Sequence, residues 1–346
     1  MTTRSDRQVA TNDQWVQLVK AVGIIAVVFG HAIYPLIATN HMMATIYIVT
    51  GWWSMPLFFI VGGFFLKPLA HDARSLWQFI QHRLLPIFGT YLLAGVLLIL
   101  TSHFVRGDSW PYTGHYFLRL LYGGATLDGE LNIFWFFTVY MLTLLIVTVL
   151  ITYVEQAPVQ FLIAIAMFAL GVSYNSVGFL HFKFVPWGAD LVLLTTLWML
   201  CGYYGYKYWP QLVYKRFYAT AGVIIYFMIV YARYEWGLNF KLYLKTHVIK
   251  TPFMAAFVPI FVVLALCIIA EQLAKTGWFK WLLPVGWYAV PILYAHQLVI
   301  DLVAKVPALN HPLPLWFFGL VVPLVIAMLY HQIRFGHRRT AGDAES

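Results

Sequence analysis

Ten long apolar runs constrain this chain more strongly than any other feature of its sequence. They lie at about residues 15–34, 44–66, 84–103, 131–153, 158–176, 187–205, 213–232, 252–271, 284–304 and 314–333. Each run has close to the ~20 residues that an α-helix needs to cross the hydrocarbon core of a bilayer. Because every backbone polar group must be paired inside lipid, runs of this length are typical of membrane-spanning helices. The sequence therefore predicts an all-α integral membrane protein with about ten transmembrane helices.

The composition excludes a soluble globular protein. Hydrophobic residues make up 62% of the 346 positions, charged residues make up 10%, and the mean hydropathy is +0.76. A soluble domain carries about a quarter charged residues. The net charge of +9 fits Lys and Arg at a cytoplasmic membrane edge, so we expect a lipid bilayer and no nucleic acid as partner. We expect a cytoplasmic tail over residues 1–14, one membrane domain over 15–334 and a second cytoplasmic tail over 335–346.

The distribution of Lys and Arg between the connecting segments predicts the orientation. With a cytoplasmic N-terminus, 14 of the 22 Lys and Arg residues lie in cytoplasmic segments and eight lie outside. Cytoplasmic loops carry the excess of positive charge in membrane proteins, so both termini are predicted to be cytoplasmic. The loop at 233–250 disagrees, because it places four basic residues and one acidic residue outside. Either the count of spans is off by one, or this loop binds an anionic acceptor molecule.

The first apolar run contains two residues that are costly in hydrocarbon, Lys20 and His31. They are 11 residues apart, which puts both on nearly one face of a helix and about 16 Å apart along its axis. Gly23 and Gly30 lie close to that face and allow another helix to approach. A histidine changes its charge near neutral pH and suits removal of a proton from a hydroxyl. The alternatives are a histidine that is hydrogen-bonded for packing and a lysine that extends to the membrane edge.

The second apolar run and two connections also carry local signals. Pro56 removes a backbone hydrogen bond, and Gly62 with Gly63 allows close approach, so we expect a broken helix that lines a cavity; a kinked packing helix is the alternative. The segment 67–83 is amphipathic enough to lie on the membrane surface. The long connection at 104–130 is predicted to be an ordered loop with a short helix.

Several short motifs resemble those of the membrane-bound acyltransferase family 3, in particular the branch described as fucose 4-O-acetylase-like. They are Lys20 with GIIAVVFGH ending at His31, SMPLFFIVGGFFL at 54–66, HRLLPIFGTY at 82–91, IFWFFTVY at 133–140 and VGWYAVPILYAHQ at 285–297. Their order and spacing cover most of the chain and match an acyltransferase-3-type bundle of ten spans. Some positions depart from the family pattern: Lys20 stands where many members have Arg, Gln17 where an acidic residue is common, and Ser54 where a histidine is frequent.

The resemblance implies transfer of an acyl group, usually acetyl, from cytosolic acyl-CoA to a hydroxyl of an extracytoplasmic or lipid-linked glycan. It also implies a multi-pass protein of a bacterial plasma membrane, with acyl-CoA as co-substrate and no bound cofactor. His31 is then the catalytic base. Positive charge at the cytoplasmic mouth would bind the anionic end of acyl-CoA, and the candidates are Lys20, Lys67, Arg74 and Arg83.

Four further residues are candidates for supporting roles beside His31. His296 is the second candidate for the chemistry, although a packed histidine is its alternative interpretation. A carboxylate that orients the His31 ring would be Glu130, Asp190 or Asp301, and a solvated carboxylate at the membrane edge is the alternative for each. No histidine pair has ligand spacing with supporting carboxylates, so we expect no metal site.

Two other classes of function compete with the enzyme. A transporter or exporter of a small anionic or lipid-linked molecule would use Lys20 and His31 to line its path. A weaker alternative is a non-catalytic membrane partner in envelope assembly. The enzyme hypothesis differs from both because it requires acyl-CoA.

Overall fold

A computed structural model describes residues 4–174 and 185–342, and over these residues the chain is a bundle of α-helices with one small hairpin. The helices are α1 (Arg4–Ile33), α2 (His41–Gly51), α3 (Ser54–Gly63), α4 (Ala73–Phe79), α5 (Leu85–Arg106), α6 (Trp110–Tyr122), α7 (Trp135–Tyr153), α8 (Ala157–Ser173), α9 (Ala189–Lys207), α10 (Lys215–Trp236), α11 (Pro252–Thr276), α12 (Leu283–Trp287), α13 (Ala289–Val303) and α14 (Pro312–Gly342). Strands β1 (Lys241–Tyr243) and β2 (Val248–Lys250) pair antiparallel. The all-α membrane fold is confirmed.

The number of membrane-spanning helices is lower than the predicted ten. In the part of the chain that the structure describes, seven helices are long and apolar enough to cross a membrane, and eight if the bent pair α12–α13 is one span. The two other predicted spans correspond to α8 and α9. Helix α8 has 17 residues, which is short for a bilayer. Helix α9 carries Asp190, Lys207 and a tyrosine-rich second half, which lower its hydropathy.

Two of the spans are broken, as local sequence signals explain. The second span is interrupted, because α2 ends at Gly51 and α3 begins at Ser54. The predicted break is therefore confirmed. Pro56 lies in the first turn of α3, where a missing N–H is tolerated. Helices α12 and α13 meet at Tyr288 with a bend of 78°.

The connections differ in part from the predictions. Helix α4 is capped by the Asp72 side chain, which accepts from the Ser75 N–H. It continues through the π-helix Ile80–Leu84 directly into α5, so residues 73–83 extend the third span and do not form a separate surface helix. The long connection contains the amphipathic helix α6, which confirms an ordered loop.

Helix α1 lies at the centre of the bundle and packs against α2, α3, α11, α12, α13 and α14. The predicted small-residue stripe makes these approaches possible. A Cβ on Gly23 would lie 2.9 Å from the Leu57 side chain, and Gly30 lies against Tyr47. Gly286 of α12 lies so close that its Cβ would be 2.0 Å from the backbone oxygen of Gln17. Backbone contact of this kind fixes α12 on α1, near Lys20.

Candidate active site

The last turn of α1 and the middle of α13 bring two histidines together. The His31 and His296 rings are 5.0 Å apart between centroids and meet edge to face at 61°. His296 is completely buried, whereas His31 is partly exposed. The first two histidine candidates from the sequence therefore form one site. We call this part of the bundle the His31 end, and the part around Lys20 the Lys20 end.

The hydrogen bonds of His296 determine where its proton lies. Its Nδ1 is 3.1 Å from the Ile292 oxygen and 2.9 Å from the Leu293 oxygen. Because carbonyl oxygens only accept, Nδ1 carries the hydrogen and a neutral ring has its lone pair on Nε2. That Nε2 is buried and has no hydrogen-bond partner among the described residues. An unpaired buried acceptor costs about 1–3 kcal/mol, so this nitrogen is a candidate position for a bound group or a proton.

Gln297 follows His296 directly and binds a carboxylate. Its Nε2 donates to Asp301 Oδ1 at 2.9 Å. Its Oε1 is buried and has no hydrogen-bond partner among the described residues. Sequence reasoning missed Gln297, although this residue ends the motif VGWYAVPILYAHQ. A polar residue directly after a candidate histidine was the available signal.

The other two candidate carboxylates have different surroundings. Asp190, at the start of α9, is 2.5 Å from Nδ1 of His247, and the other ring nitrogen of His247 is 2.6 Å from the Gly171 oxygen. Asp190 thus orients His247 of the hairpin. Glu130 is buried in the 3-10 turn Gly129–Leu131, which packs against α13.

Lys245, in the tight turn between β1 and β2, is a second candidate residue that was not predicted from the sequence. Its Nζ donates to the Leu127 oxygen and to Asn132 Oδ1, on either side of that 3-10 turn. Its charge acts on the His31 ring. Burial lowers the pKa of Lys245 to about 8, against the opposing effect of Asp128. The signal in the sequence was the loop at 233–250, whose positive charge disagreed with the predicted orientation.

The predicted donor-binding residues lie at the Lys20 end. Lys20 is half-buried and its Nζ donates to Gln17 Oε1 at 2.9 Å. Arg83 lies in the π-helix and donates to the Phe65 oxygen at 3.3 Å. The exposed residues Lys67 and Arg74 flank this region on the connection between α3 and α4 and on α4 itself. π-Helical segments occur frequently at functional sites.

The same end is held together by aromatic rings. Trp15 of α1 stacks on Trp209 at 5.0 Å, and Phe64 stacks on Tyr206 at 5.2 Å. Trp15 and Phe64 are themselves 5.8 Å apart, so the cluster connects the N-terminal part of α1 to the connection that carries Phe65. The acceptor of the Arg83 guanidinium is therefore fixed next to the first turns of α1.

A row of aromatic rings connects α7 to α13. It runs from Tyr140 through Phe136 and Phe137, with centroid distances of 5.4 Å at both steps, to Tyr294, which stacks on Phe137 at 4.0 Å. Tyr294 is two residues from His296 on α13. The packing of α7 against the helix that carries His296 is thus aromatic.

Comparison with known proteins gives one match. No curated protein and no solved structure matches the chain. A family model described as "Acyltransferase domain" matches residues 13–332. This range begins within α1 and ends within α14. It includes the histidine pair, Lys20 and Lys245. The chain belongs to the acyltransferase family 3 and is a membrane acyltransferase.

Proposed function

We propose that this acyltransferase moves an acyl group, in the simplest case acetyl, from acyl-CoA to a hydroxyl of an extracytoplasmic or lipid-linked glycan, with His31 as the base. The observation that carries the proposal is the contact of the His31 ring with the buried His296 ring, at 5.0 Å, in a chain of this family. Two imidazoles in contact give the site a group that can take up a proton and a buried partner that fixes its position.

The reaction moves one proton in two steps. As the acceptor oxygen attacks the thioester carbon, its proton goes to His31 and the carbonyl electrons move to the thioester oxygen. When the tetrahedral intermediate collapses, these electrons re-form the carbonyl, the carbon–sulfur bond breaks and the CoA sulfur takes the proton from His31. The His296 ring, which packs against the His31 ring at 5.0 Å, holds that ring in position for both transfers.

Each end of the bundle binds a different part of the donor. Acyl-CoA is strongly anionic at its nucleotide and has its thioester at the far end of a flexible arm. Lys20, Arg83 and the exposed Lys67 and Arg74 offer positive charge for the nucleotide. The separation of Lys20 from His31, about 16 Å along α1, then lets the arm reach the histidine.

The test is acyl transfer by the purified protein in lipid nanodiscs. Radiolabelled acetyl-CoA is the donor, and the surface glycan extracted from cells that lack the protein is the acceptor. We expect His31→Ala to lose about 10²-fold or more of the rate, the typical contribution of a general base. His41→Ala is the matched control, because His41 is exposed and is the first residue of α2.

A His31→Ala protein that folds and acylates the glycan at the wild-type rate would refute the role of His31. If the wild-type protein transfers no label from acetyl-CoA or its longer acyl homologues, the proposed reaction is wrong. Uptake of unmodified glycan lipid into sealed vesicles without acyl-CoA would support the transporter alternative.

A further inference from the structure

Lys245 lies on a hairpin that is fixed at several points. The His247 ring is held on two sides, by the Asp190 carboxylate at 2.5 Å and by the Gly171 oxygen at 2.6 Å. Tyr174 stacks on this ring at 5.1 Å and 11°. Lys245 lies two positions before His247 in the same turn. The contacts of His247 therefore also fix the position of Lys245.

The ammonium group of Lys245 is only partly used by the protein. Its two acceptors, the Leu127 oxygen and Asn132 Oδ1, are neutral. An ammonium has three N–H groups, so one has no partner among residues 4–174 and 185–342. The nearest carboxylate with an effect on it, Asp128, is bound by Arg119 at 2.7 Å and by the Tyr116 hydroxyl at 2.7 Å. The positive charge of Lys245 therefore has no direct ion-pair partner in that part of the chain.

A lysine is a costly choice for a purely structural bridge at this position. A neutral amide could donate to the same two oxygens without the cost of burying a charge. The two acceptors, however, flank the 3-10 turn Gly129–Leu131, which packs against α13. Helix α13 carries His296 to His31, where an acceptor oxygen loses its proton, and the charge of Lys245 acts on the His31 ring. Negative charge develops there during acyl transfer, and a fixed positive group next to it lowers the barrier.

We propose that Lys245 is a further functional residue of the acyl-transfer site, which stabilises the negative charge that develops on the thioester oxygen beside His31. The inference rests on the proposed function. In this step the carbonyl electrons move to the thioester oxygen as the acceptor proton goes to His31. They re-form the carbonyl when the carbon–sulfur bond breaks. The hairpin, whose positive charge contradicted the predicted orientation, thereby gains a chemical role.

The protonated form of Lys245 is the active one, which gives a pH signature. Since burial lowers its pKa to about 8, the wild-type rate should fall as the pH rises through about 8. The charged or titratable groups that act on Lys245 or lie beside it are Asp128 on the connection before α7, His31 on α1 and His247 on the same hairpin. Arginine stays protonated over this range, so Lys245→Arg should retain activity at high pH.

The experiment measures kcat and KM for acetyl-CoA in the nanodisc assay from pH 6 to 10, with wild type, Lys245→Met, Lys245→Arg and the control Lys250→Met. Lys250 is an exposed lysine of the same hairpin. We expect Lys245→Met to lower kcat by about 10²-fold, as removal of one oxyanion-stabilising donor does, with KM changed less than about 3-fold. We expect Lys245→Arg to keep more activity than Lys245→Met and to lose the decline above pH 8.

Two results would overturn the inference. One is a kcat of Lys245→Met within about twofold of wild type, beside an inactive His31→Ala. The other is an equal loss in Lys245→Met and Lys245→Arg with the wild-type pH profile retained, which would make Lys245 a structural bridge. If the wild-type protein itself transfers no acyl group, the proposed function and the role of Lys245 both fall.

Discussion

The crossing of α3 and α9 gives a sharp test of how the bundle is held together. Gly202 of α9 lies against α3 so closely that a Cβ on it would be 1.9 Å from the Ile60 oxygen and 2.7 Å from the Ile60 carbonyl carbon. The reverse contact is equally close, since a Cβ on Gly63 would be 2.1 Å from the Met199 oxygen. Both obstacles are backbone atoms of helices, which cannot rotate away as a side chain can.

Gly202→Ala must therefore push α9 away from α3. Overpacking of this kind costs about 1–3 kcal/mol, and a rigid backbone obstacle places it at about 3 kcal/mol. Alanine offsets up to about 1 kcal/mol of this through its higher helix propensity, so we expect a net loss of about 2 kcal/mol in the free energy of unfolding. Gly205→Ala is the matched control on the same helix, because a Cβ there meets nothing within 4 Å. The control should be neutral or slightly stabilising.

The assay is thermal unfolding in detergent, followed by size-exclusion chromatography of the fluorescently tagged protein. The expected signs are opposite: a lower melting temperature for Gly202→Ala by at least about 3 °C, and no decrease for Gly205→Ala. If Gly202→Ala melts at the wild-type temperature, the two backbones are not in contact and the packing of α3 on α9 described above is wrong.

Two further substitutions test the two ends of the bundle. His247→Ala removes the hydrogen-bond partner of the half-buried Asp190 carboxylate, which should cost about 1–3 kcal/mol and speed amide hydrogen exchange in the hairpin; unchanged exchange at 241–250 would show that His247 does not hold the hairpin. Lys20→Gln should raise the KM for acetyl-CoA with little change in kcat, whereas Lys280→Gln, an exposed lysine at the same end, should change neither. A rise only in the KM for the glycan would show that Lys20 does not contact the donor.

The helices could be predicted from the sequence because their signal is local. A run of about 20 apolar residues specifies a membrane-spanning helix on its own, and Pro56 specified a break close to where it occurs. The number of spans was overestimated for a physical reason. Most of α9 is buried inside the protein, so its apolar residues do not indicate contact with lipid. Helix α8 exposes many apolar residues but has only 17 residues, which is short for a bilayer.

The site could be predicted only in part because its residues are distant in the sequence. His31 and His296 were both candidates, yet their contact depends on the packing of α1 against α13. Asp190 was a candidate for orienting His31, yet its carboxylate contacts His247. Neither that pair nor the inward position of Lys245 has a local sequence signature.

The spacing of Lys20 and His31 on α1 and the bend between α12 and α13 together fix the geometry of the site. Gly286 fixes α12 on the backbone of Gln17, one turn from Lys20. The chain then turns by 78°, and α13 carries His296 to His31 about three turns further along α1. The Lys20 end and the histidine pair are thus held at a set distance by contacts between backbones. Rigid support of this kind is what a transfer reaction needs, because an error of about 1 Å in the position of reacting groups can cost about 10²-fold in rate.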